Sequence, residues 1–275
     1  MTRAIVFSRN RPAQLDLLLR SLKRHAADWI DEIVVLYHST TADFEMGYAL
    51  CRLGHESESI SFVEEYDFAG QMLDIVTGEN LDLVVPFCDD DVMFAPVPST
   101  DVEPYDILRF DADLLCVSLR LGRNTTECYS LRRPQQFPGS LAWPYAAATG
   151  DFAYPGSLDG HVFRVDDFAS LIDGGNWSNP NELEEHLAHA CRLQADKWRM
   201  ACYDHSILVG IPINSVTPTH GSNRHGEHHP VTTSELNERF LQGARLSLDT
   251  VDPKLVDAAH VEFPLRWEEA KEDGT

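Results

Sequence analysis

The sequence predicts an α/β protein with a mostly parallel central sheet flanked by helices. Three observations predict it. The first 91 residues alternate short apolar runs with segments of helical spacing. The apolar runs are nearly continuous, as in strands covered on both faces. The fourth run, 81–87, passes directly into Cys88-Asp89-Asp90-Asp91, and open parallel sheets bind ligands at the carboxyl ends of their strands.

The elements follow in order. Residues 4–8 form the first strand. Pro12 opens a helix to about residue 26, with Leu15, Leu18, Leu19 and Leu22 on one face. Residues 32–37 form a strand, 42–53 a helix, and 60–63 a third strand. A helix over 68–76 starts behind Asp67, a suitable cap. The alternation then weakens. Residues 107–121 read as one or two strands, and 135–156 as loop. A short strand at 160–165, a helix at 180–194, a strand at 207–216 and a helix at 234–241 complete the expectation. The division predicted is one domain over 1–245, with a nucleotide-binding half (1–95) and an acceptor-binding half (96–245). Residues 246–275 read as a C-terminal extension.

Composition excludes some functions. The 275 residues include 22 Lys and Arg against 44 Asp and Glu, a net charge of −22. Such a surface repels phosphate backbones, so no nucleic-acid partner is expected. The six cysteines include no Cys-x-x-Cys pair, which disfavours zinc ribbons and secreted disulfide frameworks. No apolar run reaches 18 residues, so no transmembrane segment is expected, and the N-terminus reads as a strand rather than a signal peptide. A cytoplasmic protein is the expectation, peripheral at most to the inner membrane face. Walker, dinucleotide-glycine and nucleophile-elbow motifs are absent.

Asp89, Asp90 and Asp91 carry the strongest chemical signal. Adjacent carboxylates repel, and after a buried strand they call for a counter-charge. Mg²⁺ or Mn²⁺ prefers such oxygens and can bridge a substrate diphosphate. The alternative is an acidic turn that caps a succeeding helix. His220, His225, His228 and His229 lie in a loop after residue 216, and His220 is the first choice to complete a metal sphere. Asp159, in an Asp-Gly turn before a strand, would contact sugar or acceptor hydroxyls; otherwise it only makes the turn. Glu182 and Glu184 open a helix as dipole-complementing acids, or reach the cleft as acceptor ligand or general base. Arg9, Arg11, Arg120 and Arg123 suit a diphosphate, or pair with nearby carboxylates.

The order of strand, Arg9-Asn10-Arg11-Pro12, helix, three further strands and Phe87-Cys88-Asp89-Asp90-Asp91 resembles the GT-A (Rossmann-like) nucleotide-sugar glycosyltransferases, family 2-like bacterial members in particular. Segments around Arg120–Asn124, Leu158–Arg164 and Pro180–Glu184 are similar to the same group, and the likeness spans roughly residues 3–245. It implies a metal-dependent transferase with Mn²⁺ or Mg²⁺ as cofactor. Its donor would be a nucleoside-diphosphate sugar and its acceptor a glycan, a lipid-linked sugar or a small molecule. It also implies that Asp89 and Asp91 form the Asp-x-Asp pair, with Asp91 the direct ligand. Asp89 and Asp90 would help hold the donor, Ser8, Arg9 and Tyr37 would hold its base and ribose, and His220 would complete the metal site. Two departures matter. No Gln-x-x-Arg-Trp segment is present, which points to single additions rather than processive synthesis. The Glu-Asp pair of inverting relatives is absent, leaving Glu182 and Glu184 as positional substitutes and the stereochemistry open. The rival readings are a nucleotidyltransferase of similar fold, against which the glycine-free loop after the first strand argues, and a non-catalytic sugar- or nucleotide-binding module.

Overall fold

The computed structural model describes residues 1–78, 80–98, 103–193, 197–216 and 224–268. In chain order the elements are β1 (Thr2–Arg9), α1 (Pro12–His25), β2 (Glu32–His38), α2 (Ala42–His55), β3 (Ile60–Glu64), α3 (Phe68–Val76), β4 (Leu83–Cys88), β5 (Asp91–Met93), α4 (Pro104–Phe110), β6 (Leu114–Ser118), β7 (Glu127–Cys128), β8 (Arg133–Pro134), β9 (Ala142–Pro144), β10 (His161–Arg164), α5 (Val165–Ile172), α6 (Pro180–Leu193), β11 (Arg199–Cys202), β12 (Leu208–Gly210), α7 (Thr233–Leu241), β13 (Arg245–Leu246) and β14 (Trp267–Glu268).

The expected α/β class and mostly parallel central sheet are present. Eight strands run in the order β3-β2-β1-β4-β10-β6-β11-β9. β3, β2, β1 and β4 are parallel, as are β6 and β11. β10 is inserted antiparallel between β4 and β6. That insertion matters for the site, because the start of β10 lies at the carboxyl ends of its neighbours.

Both faces of the sheet are covered, which is why its strands are almost wholly apolar. Successive residues of β1 serve opposite layers. Ala4 and Val6 join a core with Leu15, Leu18, Leu22, Tyr48 and Phe240 of the helices on one side. Ile5 and Phe7 join a second core with Phe68, Met72, Phe168 and Leu187 on the other. Full burial of one such side chain contributes roughly 1.5–3 kcal/mol. Caps sharpen the helix starts: Asp67 accepts from Gly70 N–H, and Thr232 and Glu235 form a reciprocal capping box on α7.

Two expected strands differ. Residues 107–110 belong to α4, not to a strand. Pro104 presets the first turn, and an Asp111-to-Asp113 turn separates this helix from β6. The expected strand over 207–216 pairs only through Gly210, because Pro212 has no N–H to continue the ladder. The chain after residue 246 packs onto the rest: Val251, Val256 and Phe263 are buried, and β14 pairs with β13.

Candidate active site

The turn after β1 builds the first part of the site. Asn10 has a φ of 55°, a left-handed conformation that Asn tolerates. Its side chain is locked to Thr40 by Asn10 Nδ2 donating to Thr40 Oγ1 at 2.8 Å and Thr40 N–H donating back at 2.9 Å. Arg11 is thereby turned inward. Its Nη1 donates to Asp89 Oδ1 at 2.9 Å, its Nε donates to Asn214 Oδ1 at 2.8 Å, and its Nη2 donates to the Asn214 carbonyl. The other Asp89 oxygen accepts from Ser8 Oγ (2.9 Å) and Arg9 N–H (3.2 Å), and Ser8 meets the Tyr48 hydroxyl at 2.7 Å. Burial pushes the Asp89 carboxyl up to about 6, against the charge of Arg11. Ser8, Arg11 and Asp89 are therefore bound to one another inside the protein. Tyr37 is buried too, its ring 4.7 Å from that of Tyr48. Arg9 alone of this group is exposed. Asp90 is partly exposed and lies 3.5 Å from Arg11 Nη1.

Asp91 has a different environment. It is 1% exposed and, among the described residues, accepts one hydrogen bond, from Cys88 N–H at 3.0 Å. Burial, then the charges of Asp159 and Asp90, push its carboxyl well above the usual carboxylate range. The register explains the neighbourhood. Asp91 of β5 pairs with Gly210 of β12, and Gly210 bridges on its other side to His260. Lateral neighbours share a face. A Cβ at Gly210 would collide with the His260 ring, so the glycine leaves room for the imidazole to lie across the strand.

His260 Nε2 lies 3.3 Å from Asp159 Oδ2, and Arg120 Nη1 donates to the same oxygen at 2.8 Å. Burial alone would raise the Asp159 carboxyl, but the His260 hydrogen bond and the charges of Arg120 and His260 outweigh it and lower it. Gly160, with a φ of +68°, makes the turn that places Asp159 at the start of β10. Glu184, in the first turns of α6, accepts weakly from Leu158 N–H at 3.4 Å. Burial, then Asp159, push its carboxyl up to about 7. Glu182 points elsewhere: its carboxylate accepts from Ser178 N–H and Oγ and caps the helix. Arg123 is half-exposed, pairs with Asp204 at 2.6 Å and stacks over Phe137.

The structure thus brings together Asp91, Asp159, Glu184 and Arg120 from four separate places in the sequence. It adds His260, which sequence reasoning missed. The signal available was a histidine inside the apolar stretch 256–263, a stretch that reads from sequence as an extension. His220 lies outside the described residues. His225 and His228 are exposed, and the loop that carries them is pinned by Glu262, which accepts from the N–H groups of 227, 228 and 229.

The cluster fits a hard divalent cation. Among the described residues Asp91 is buried without a directly paired counter-charge, and Asp159 and Asp90 raise it further. Among the described residues, the group of three whose ligand atoms all lie within 4.8 Å of one another is elsewhere, at Asp16, Cys51 and His55. There, Arg20 and Arg245 already pair with the Asp16 carboxylate, and His55 Nε2 donates to it at 2.8 Å. Burial also keeps the Cys51 thiol protonated. That group is an ion network joining α1, α2 and β13, in which His55 Nδ1 alone is buried without a partner among the described residues.

No protein-family model and no curated protein matches the chain. Solved structures similar to it include a mannosyltransferase from Pyrobaculum calidifontis in complex with GDP-Man and Mn²⁺. That likeness has 14% identity, 80% of this chain, 58% of that chain and a TM-score of 0.45. Another is Staphylococcus aureus TarS, at 14% identity over 76% of this chain and 36% of that chain, with a TM-score of 0.47. A third is glucosyl-3-phosphoglycerate synthase from Mycobacterium tuberculosis with Mn²⁺, UDP-Glc and phosphoglyceric acid, at 17% identity over 73% of this chain and 68% of that chain, with a TM-score of 0.43. The chain spans less than two thirds of the length of the first two.

Proposed function

We propose that the chain is a metal-dependent glycosyltransferase that moves a sugar from a nucleoside-diphosphate sugar to a hydroxyl acceptor, one addition at a time. The observation that carries this reading is the convergence of buried Asp91, Asp159 and Glu184 at the carboxyl ends of the parallel strands, where Arg120 and His260 pair with Asp159 and leave Asp91 and Glu184 raised. Residues 1–95 form the donor half and 96–245 the acceptor half, and 246–275 contribute His260.

Asp91 is the principal metal ligand, and His260 takes the place in the metal site expected of His220. Asp159 holds His260 in orientation through Nε2. A bound Mn²⁺ or Mg²⁺ would supply charge neutralisation to the departing nucleoside diphosphate. Asp89 positions the strand end through Arg11 and Ser8, and Asp90 is the partly exposed acid of the run. Arg120, fixed on Asp159, places a guanidinium beside the reacting centre.

Glu184 takes the acceptor proton. A carboxyl near 7 is half-ionised at neutral pH and is a far better base than an ordinary glutamate. The acceptor hydroxyl belongs to a glycan, a lipid-linked sugar or a small molecule. No helix among the described residues is long and apolar enough to cross a membrane.

The test is product analysis with a panel of nucleotide sugars and acceptors, with Mn²⁺ or with EDTA. Release of nucleoside diphosphate with Mn²⁺ only supports the reading. Release of pyrophosphate from a nucleoside triphosphate would identify a nucleotidyltransferase instead. Binding of nucleotide sugar without turnover at any metal concentration would leave a binding module.

A further inference from the structure

The ends of the three outer parallel strands carry polar groups that the metal chemistry leaves unused. Register sets Arg9 of β1 beside His38 of β2, and Tyr37 beside Glu64 of β3. Glu65 N–H donates to the Tyr37 carbonyl at 2.8 Å, which carries the ladder one residue further and brings Glu65 beside His38. Arg9, His38 and Glu65 therefore form one lateral row on one face. Two residues back on the same face lie Phe7, Leu36 and Val63, an apolar floor packed against Phe68. Tyr66, 87% exposed, is the next residue of the chain.

Glu65 is half-buried, and burial pushes its carboxyl up. The charges of His38 and Arg9 oppose that rise, and among the described residues no hydrogen bond to the carboxylate contributes. A partly desolvated carboxylate without donors is costly, and a ligand that brings donors relieves the cost. Among nucleotide bases, the pattern of donors decides which one fits. Guanine presents two adjacent N–H donors, N1–H and N2–H, to which a carboxylate can bind through both oxygens, and beside them O6, an acceptor for Arg9 or His38. Adenine and cytosine place a ring lone pair next to the amino group, which repels a carboxylate. Uracil and thymine offer one imide N–H between two carbonyl oxygens.

We propose that Glu65 selects guanine, so that the donor is a guanosine-diphosphate sugar. This deepens the nucleotide-sugar reading above and rests on it. Glu65 is the specificity residue, with Arg9 and His38 donating to the base's acceptor edge.

The experiment is calorimetric binding of GDP, IDP, UDP, CDP and ADP, each with Mn²⁺, to the wild-type chain and to Glu65→Gln. The expected result is that GDP binds the wild type at least about tenfold more tightly than UDP, CDP or ADP. IDP, which lacks the 2-amino group, falls between. Glu65→Gln, which offers one acceptor oxygen and an opposing donor, loses the GDP advantage and the GDP–IDP gap while its affinity for UDP is unchanged. Its melting temperature is equal to or above that of the wild type, because the substitution removes a partly desolvated charge that accepts no hydrogen bond among the described residues. Tighter binding of UDP, CDP or ADP than GDP overturns the guanine assignment and leaves the nucleotide-sugar reading standing. A GDP preference that persists in Glu65→Gln overturns the role of Glu65. Failure of every nucleotide to bind overturns the nucleotide-sugar reading itself.

Discussion

Asp89 and Asp91 are two residues apart and both are buried, yet their surroundings are opposites. Around Asp89, both carboxylate oxygens accept from Arg11, Ser8 and the Arg9 N–H, and Arg11 is itself tied to Asn214. Around Asp91 there is one backbone donor, and the nearest charges are further carboxylates. The first region is a closed network that joins β1, β4 and the segment at 214. The second is an open one. A buried charge paired within the protein builds structure, and a buried charge left short of a partner is arranged for something that arrives later.

The largest expected effects break this pair apart. Asp91→Asn should lower metal-dependent transfer by about 10²–10³-fold or more while leaving stability equal or raised, since it removes an uncompensated buried charge. Asp89→Asn should cost about 1–3 kcal/mol of stability, because it leaves buried Arg11 with only the partly exposed Asp90 at 3.5 Å as its carboxylate partner. Chemical denaturation of the two variants beside a transfer assay reads both at once. Equal losses of stability would show that the two aspartates share one structural role.

Glu184 sharpens the contrast on the acceptor side. Glu184→Gln should lower transfer about 10²–10⁴-fold with nucleotide affinity unchanged. In the wild type the rate should rise with pH, because a base must be ionised to accept a proton, and the metal's charge should draw that rise below the metal-free value of about 7. The same shifts set the stability profile in EDTA. Asp89, Asp91 and Glu184 all have carboxyls raised in the folded state, so the folded chain holds protons that the unfolded chain has released. Metal-free stability should therefore fall as pH climbs from the ordinary carboxylate range to about 7, and Mn²⁺ should restore it. The lowered carboxyl of Asp159 acts the other way below that range, and buried His161, pushed down to about 3, acts the other way up to the ordinary histidine range, so the fall shows most cleanly above it. A flat melting temperature between pH 5 and about 7.5 in EDTA would remove the charge imbalance on which the site rests.

Much of the fold was legible because the first half is local. Apolar runs, helical spacing, Pro12 and Asp67 each mark an element within a few residues of the chain. The acidic run was legible for the same reason. The groups that join it were not. His260 reaches Asp159 from far along the chain, through a bridge to Gly210 that no periodicity announces. The inward turn of Arg11 depends on Asn214, also distant in sequence, so an arginine beside Asp89 reads alike whether it binds phosphate or carboxylate. Glu182 and Glu184 could not be separated from their spacing alone. One caps the helix through Ser178 and the other faces Asp159, and only the packing of α6 decides which.

Smaller changes probe the joins rather than the charges. Gly210→Ala should displace the His260 ring and weaken Mn²⁺ binding by about tenfold, in the range of lost supporting interactions at metal sites. Titration calorimetry on the nucleotide complex reads it, and unchanged affinity would remove His260 from the metal site. Arg123→Ala should have the smallest effect. Its guanidinium pairs with Asp204 where both side chains are about half exposed, at 51% and 53%, and solvent screens such pairs. Arg120, close by in sequence, is instead buried on Asp159. If donor binding runs through the buried arginine alone, Arg123→Ala should change nucleotide affinity by less than about fivefold. A larger loss would mean that the Phe137-stacked guanidinium swings to the phosphates when donor binds, and the line between closed and open networks would then run through the arginines as well as the aspartates.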